Sequence, residues 1–159
     1  MNVALYAIIR LRGQPDTPPD VRYTLRLLRL VRKHHCVLYP DKPEIRGMLH
    51  KIKDWVTWGE IDRDTLILLL RKRGRVVGGK PLTDEYVKEK LKLSSIEELA
   101  DKLLSGEMEF HKLEPYGIKP VFRLHPPKGG FRSIKKPFGA GGDLGYRGPA
   151  INELLKRMI

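Results

Sequence analysis

The chain has 159 residues, a length that suits one domain or a small core with an extension. Lysine and arginine number 31 against 19 acidic residues, and the net charge of +12 favours nucleic acid first and an anionic membrane second as the partner. Cys36 is the only cysteine, which excludes an intramolecular disulfide framework and indicates a reducing compartment. No apolar run is long enough to cross a membrane.

The positive charge is concentrated in two of three regions. Residues 1–80 carry a net charge of +9, residues 81–114 carry −4, and residues 115–159 carry +7. We therefore expect the first and third regions to contact a polyanion, whereas the acidic middle region faces solvent or a protein.

The first sixty residues alternate between strand and helix patterns. Residues 3–12 (VALYAIIRLR) predict a strand that places Leu5, Ala7, Ile9 and Leu11 on one face. Further strand and helix patterns follow at 17–34 (helix), 35–39 (strand), about 43–53 (helix) and 55–61 (strand). This order predicts an α+β core over residues 1–61, in which the helices cover one face of a small sheet.

Residues 62–159 form a predicted C-terminal extension. The run at 64–73 (DTLILLLRKR) fits a helix or a buried strand, and the helix is favoured because three cations and then Gly74 end the run. Caps and apolar periodicity predict the remaining elements. These are helices at about 83–91 and 95–104, an arm rich in glycine, lysine and aromatic residues at 115–149, and a closing helix at 150–158.

The helix predicted at 17–34 carries a row of cations opposite its apolar side. At about 100° per residue the four cations fall within an arc of roughly 60°, and no acid interrupts them. Like charges at this spacing repel each other, so the row predicts a surface for a polyanion, with a merely solvated basic face as the alternative. The row is Arg22, Arg26, Arg29 and Lys33, and the side predicted to be buried includes Leu25, Leu28 and Val31.

Cations and aromatic residues alternate within the arm, at residues 126–147. Glycines permit close approach to phosphates, cations neutralise them, and aromatic rings stack on unpaired bases. The alternative is that the rings fill the core. The cations are Lys128, Arg132, Lys135, Lys136 and Arg147, and the rings are Phe131, Phe138 and Tyr146.

The loop at 74–80 (GRVVGGK) resembles a phosphate-binding P-loop but lacks an essential group. Pro81 stands where the hydroxyl that binds magnesium is required, and no strand ending in aspartate is found to hold the metal. The surrounding cations Lys72, Arg73 and Arg75 fit static phosphate contacts better than nucleotide hydrolysis. The histidines lack paired metal spacing, and no nucleophile context is present, so neither catalysis nor a cofactor is predicted.

Several stretches together resemble one family over essentially the whole chain. They are VALYAIIRLRG, TLRLLRLVRKH, IRGMLHKIKDWVTWGEI, LLRKRGRV, the GGF at 129–131 and GGDLGYRGPAINELLKRM. The family is the large-subunit ribosomal protein called L-thirty in bacteria and archaea and L-seven in eukaryotes, here in its long archaeal form. The resemblance implies a ferredoxin-like β-α-β-α-β core and a non-enzymatic role in the cytoplasmic ribosome. It also implies binding to large-subunit RNA near the 5S RNA and beside other ribosomal proteins.

The sequence thus predicts a structural protein that pins ribosomal RNA through phosphate contacts. A free-standing RNA chaperone or RNA-binding module is the alternative, and a phosphate-handling enzyme that uses the loop at 74–80 is a remote one. No membrane and no small-molecule substrate is expected. The predicted RNA contacts are Arg10, Arg12, Arg22, Arg26, Arg29, Lys33, Arg46, Lys51, Lys72, Arg73, Arg75, Lys128, Phe131, Arg132, Lys135, Lys136 and Arg147.

Overall fold

A mixed five-stranded sheet organises the computed structural model, which describes residues 4–159. Its order is β4-β2-β1-β3-β5, and every neighbouring pair is antiparallel except β3 and β5, which are parallel. The predicted first residue of the first strand, Val3, lies outside the described residues. The strands are β1 (Leu5–Arg10), β2 (His35–Pro40), β3 (Val56–Glu60), β4 (Phe122–Arg123) and β5 (Gly145–Tyr146).

Six α-helices accompany the sheet within the described residues, and the predicted β-α-β-α-β order of the core is confirmed. The segment whose sequence fitted either a helix or a strand is helical, and the carboxylate of Asp62 caps it by accepting the Thr65 N–H at 2.8 Å. Short 3₁₀ segments occupy 110–116, 138–140 and 148–150. The helices are α1 (Pro19–Leu27), α2 (Pro43–Ile52), α3 (Arg63–Arg73), α4 (Asp84–Leu91), α5 (Ile96–Ser105) and α6 (Ile151–Met158).

Both faces of the sheet are buried. Tyr6 and Ile8 of β1 point toward α1 and α2 and form one apolar cluster with them, so the predicted one-sided packing of the core helices is confirmed. The opposite face of β1 begins a second cluster that includes side chains of α3, α5 and α6. The extension therefore supplies the second layer that the core lacks, and its two short strands β4 and β5 cover the edges of the sheet.

The first helix ends at Leu27, seven residues before the predicted end. Arg29 adopts a left-handed conformation (φ 65°), its N–H donates to Arg26 O, and the Leu30 N–H reaches back to Leu25 O. These two bonds form a Schellman motif, which terminates a helix by satisfying its last carbonyl groups. Glycine usually occupies the left-handed position, and arginine there left no stop signal in the sequence.

The early end of α1 changes two predictions about this segment. Leu25 and Leu28 are buried as predicted, but Val31 is 49% exposed because it follows the helix in an irregular stretch. The predicted row of four cations is wrong as a helical feature, since only Arg22 and Arg26 belong to the helix.

Residues 1–61 are expected to fold on their own but only marginally. Without the extension, the face of β1 and β2 that carries Ile9 and Leu38 would be exposed to water. In addition, a domain of about 60 residues has only a small free energy of unfolding. We expect a cooperative but lowered thermal transition and binding of a hydrophobic dye, compared with the full chain. A fragment with no cooperative transition by circular dichroism would contradict independent folding.

Candidate nucleic-acid interface

Arg10, one of the predicted RNA contacts, lies in the interior and is 1% exposed. Its guanidinium donates to Leu30 O at 2.8 Å and Val31 O at 3.0 Å through Nη1, and to Arg12 O at 2.7 Å through Nε. Burial lowers the pKa of this guanidinium. Arg10 is therefore inaccessible to RNA, and the prediction that it contacts RNA is corrected. Its donors instead hold the segment after α1 against the end of β1.

Arg147, another predicted RNA contact, is also interior, with 6% of its surface exposed. It donates to Asp143 Oδ1 at 3.0 Å, to Asp143 O at 2.7 Å and to Thr57 Oγ1 at 2.8 Å. The other carboxylate oxygen of Asp143 accepts the N–H groups of Arg132 and Ser133 at 2.5 and 3.1 Å. Arg147 therefore clamps the arm onto β3, and its assignment to RNA is corrected as well.

The three aromatic rings of the arm have different surroundings. Phe131 is half-buried, packs against the core, and stacks on His34 with ring centroids 6.0 Å apart. Phe138 lies under the guanidinium groups of Arg132 and Arg147, at 5.1 and 4.8 Å. Tyr146 alone presents half of its surface to solvent (52%). The alternative of core packing thus describes Phe131 better than base stacking does.

Acidic side chains of the chain itself pair with several cations. Glu114 holds Arg29 at 3.1 Å, and Asp41 holds Arg46 through two bonds of 2.5 and 2.6 Å. Most acids of the middle region likewise have partners within the chain, and among these acids only the Glu109 side chain is largely withdrawn from solvent. These pairs are Lys42 with Glu109, Arg63 with Asp101, Arg71 with Asp84 and Glu97, Lys102 with Glu107, and Lys112 with Glu109.

The remaining predicted cations form no ion pair with an acidic side chain within residues 4–159 and are exposed or half-exposed. Arg12 lies over the ring of Trp55, with its guanidinium carbon 5.4 Å from the ring centroid. Their charges are free to meet an external anion. They are Arg12, Arg22, Arg26, Lys33, Lys51, Lys72, Arg73, Arg75, Lys128, Arg132, Lys135 and Lys136.

Four cations surround one pocket of about 280 Å³, which we call the four-cation pocket: Arg73, Arg75, Lys119 and Arg123. Gly79 and Val121 complete its lining, and no carboxylate is among the lining residues. Arg73 donates to Ile159 O at 2.9 and 3.2 Å, and Arg75 donates to Gly74 O at 2.9 Å. These bonds to the main chain hold the two guanidinium groups in place.

The sequence predicts two of the four cations that line this pocket. Arg73 and Arg75 were predicted, but Lys119 and Arg123 come from a segment without periodicity. The Lys119 N–H donates to Arg75 O at 2.8 Å, and Arg123 belongs to β4, which pairs with β2 over only two residues. Such short, long-range pairings leave no pattern in a sequence.

The loop at 74–80 is a hairpin and not a P-loop. The Val76 N–H donates to Lys80 O at 2.8 Å, the Gly79 N–H to Val76 O at 3.0 Å, and the Leu82 N–H to Gly74 O at 3.0 Å. These amides are used within the turn, whereas a P-loop directs its amides at phosphates. The loop also follows helix α3 rather than a strand. The geometry therefore gives no support to the enzymatic alternative.

Other ligand chemistries have little support in the part of the chain that the structure describes. Residues 4–159 contain no group of three His, Cys, Asp or Glu side chains placed to hold a metal ion. Burial raises the pKa of the Cys36 thiol, so this cysteine stays protonated. No helix among these residues has the length and apolar character that a membrane span requires.

Comparisons with known proteins agree on one family. Residues 6–56 match the family model described as "Ribosomal protein L30p/L7e". The chain is 69% identical to a protein of Hyperthermus butylicus, over 99% of this chain and 92% of the relative, and 61% identical to one of Staphylothermus marinus, over 98% of each. A protein of Aeropyrum pernix is 57% identical over 98% of this chain and 99% of the relative. All three are named "Large ribosomal subunit protein uL30".

Replacing Arg10 should affect stability and not RNA affinity. Arg10→Met leaves the carbonyl groups of Leu30 and Val31 without their buried donor, so we expect a loss of about 3 kcal/mol in the free energy of unfolding. RNA affinity per folded molecule should stay the same. Denaturant unfolding and RNA titration measure the two quantities.

The matched control is Arg26→Met, which changes an exposed cation on α1. It should leave the stability within about 0.5 kcal/mol of the original and weaken RNA binding. The opposite pattern, with Arg10→Met stable and deficient in RNA binding, would restore Arg10 as an RNA contact.

Proposed function

Because the chain belongs to the Ribosomal protein L30p/L7e family, a non-enzymatic family of the large ribosomal subunit, we propose that it binds ribosomal RNA through phosphate contacts and pins RNA segments against one another. The observation that carries this proposal is the four-cation pocket, with Arg73, Arg75, Lys119 and Arg123 around one space and no carboxylate in its lining.

Electrostatics favours an anion in this pocket. Four like charges around one space repel each other, and no lining carboxylate offsets this repulsion. Arginine guanidinium groups match phosphate oxygens in geometry, and they stay charged at all physiological pH values. A backbone phosphate of RNA matches the positive charge of the pocket.

Further cations are available on other elements. Arg22 and Arg26 lie on the outer side of α1, Arg12 follows β1, and Lys128, Arg132, Lys135 and Lys136 lie on the arm. Phosphate contacts from separate elements would hold different RNA segments, with the folded core as a spacer. Arg29 and Arg46 contribute less, because their charges are already paired with Glu114 and Asp41.

The family resemblance also supports a position near the 5S RNA, beside other ribosomal proteins. The alternative predicted from the sequence, a free-standing RNA-binding module, has no support in the comparisons, whose relatives are named as large-subunit proteins. Cosedimentation with large subunits at moderate salt separates the two, since a subunit protein stays with the particle, whereas a free module dissociates as its phosphate contacts are screened.

The salt dependence of RNA binding tests the four-cation pocket. Lys119→Ala combined with Arg123→Ala removes two exposed cations that make no ion pair within residues 4–159. Each phosphate contact contributes about 0.7 to 0.9 to the slope of log affinity against log salt, so loss of the one phosphate bound in the pocket should make the slope shallower by about that amount. Titration of large-subunit RNA at several salt concentrations gives the slope.

Arg63→Ala combined with Lys102→Ala is the matched control. It removes the same number of positive charges, but from cations that Asp101 and Glu107 already pair. The control should leave the slope nearly unchanged. If the two double variants have equal salt slopes, the pocket is not a phosphate site and the effect is one of net charge alone.

A further inference from the structure

A second pocket, of about 300 Å³, lies between the β3–β5 edge of the sheet and helix α2. Three aromatic residues line it, one from each of three neighbouring strands, and we call it the aromatic pocket: Tyr6, Trp58 and Tyr146. The Tyr146 ring centroid lies 6.4 Å from that of Tyr6 and 6.2 Å from that of Trp58, at interplanar angles of 72° and 51°. Leu49 adds an apolar contact from the helix side.

The ring of Tyr146 is held in place although half of it is exposed. Its main chain pairs with Trp58 in the parallel β3–β5 ladder, and its hydroxyl donates to Glu60 Oε1 at 2.6 Å. The carboxylate, together with desolvation, raises the pKa of Tyr146 to about 12, so the phenol stays neutral at physiological pH. A fixed, neutral and half-exposed ring is a preorganised surface on which a flat ligand can stack at small entropic cost.

Among the described residues, the aromatic pocket has one unpaired cation at its helix side, where a phosphate can bind. Arg46, His50 and Lys53 line it from α2, and no carboxylate is among its lining residues. Asp41 pairs with Arg46 and offsets its charge, whereas Glu60 accepts the hydrogen bond of Tyr146 and keeps its own negative charge. Lys53 forms no ion pair within residues 4–159 and remains available for a phosphate.

We propose that the aromatic pocket takes one unpaired RNA base, which stacks on Tyr146 while Lys53 meets the phosphate beside it. The inference rests on the proposed function in that the ligand is RNA, but it adds a base contact to a surface that otherwise meets phosphates. A flat ring beside a cation suits a nucleotide whose base has left its helix. A duplex offers no such base.

The test compares a short single-stranded oligoadenylate with an RNA duplex of equal length, using the full chain. Tyr146→Leu keeps the apolar character and removes the flat ring, so it should weaken oligoadenylate binding about tenfold and leave duplex binding unchanged. Its salt slope should match that of the original chain, because no phosphate contact is lost. Tyr146→Phe keeps the ring and should bind within about twofold of the original chain.

Tyr116→Leu is the matched control, because Tyr116 is similarly exposed (49%) and does not line the aromatic pocket. It should leave both affinities unchanged. A measurement on the unmodified chain guards against misfolding of Tyr146→Leu: photo-cross-linking to an oligoadenylate that contains one 4-thiouridine should give adducts on Tyr146 or Trp58, mapped by mass spectrometry.

The outcomes separate this inference from the proposed function. If Tyr146→Leu keeps its oligoadenylate affinity, or loses duplex affinity equally, or if adducts form only outside the aromatic pocket, base stacking is wrong, whereas salt-dependent RNA binding would still stand. If neither RNA binds the original chain, the proposed function fails. Binding of an oligolysine peptide that Tyr146→Leu abolishes, without an effect on oligoadenylate, would assign the pocket to a basic protein segment instead.

Discussion

The central strand β1 is buried along its whole length, and this constraint governs the rest of the structure. A strand without a solvent face needs an apolar layer on each side. Helices α1 and α2 provide one layer, and the extension provides the other through α3, α5 and α6. The core and the extension therefore share the sheet, and the aromatic pocket lies where the two meet.

The burial of β1 also explains the unusual position of Arg10. The even-numbered side chains of the strand point toward α1 and α2, so an arginine at the end of the strand enters the interior. The Arg10 guanidinium donates to three main-chain carbonyl groups and to no carboxylate. Its Nη2 has no partner among the described residues. A guanidinium can thus hold an irregular segment in place through hydrogen bonds. A count of positive charges in the sequence does not distinguish such a structural arginine from one that contacts RNA.

The sequence predicted those features whose causes are local. The helices predicted at 64–73, about 83–91 and 95–104 lie within about one residue of α3, α4 and α5, whose first turns are capped by the side chains of Asp62, Thr83 and Ser95. The end of α1 was missed, because Arg29 occupies a position that glycine usually marks. The four-cation and aromatic pockets depend on pairings between distant segments, β2 with β4 and β3 with β5, and no periodicity records them.

The parallel pairing of β3 with β5 has a consequence for the order in which the protein matures during synthesis. Trp58 leaves the ribosome long before Tyr146, and Arg73 long before Lys119 and Arg123, so each pocket lacks part of its lining until the late segment has emerged. A nascent chain that ends before residue 119 has the sheet centre and the helices α1 and α2 but neither pocket. The RNA contacts proposed for these two pockets would therefore be available only to nearly complete molecules.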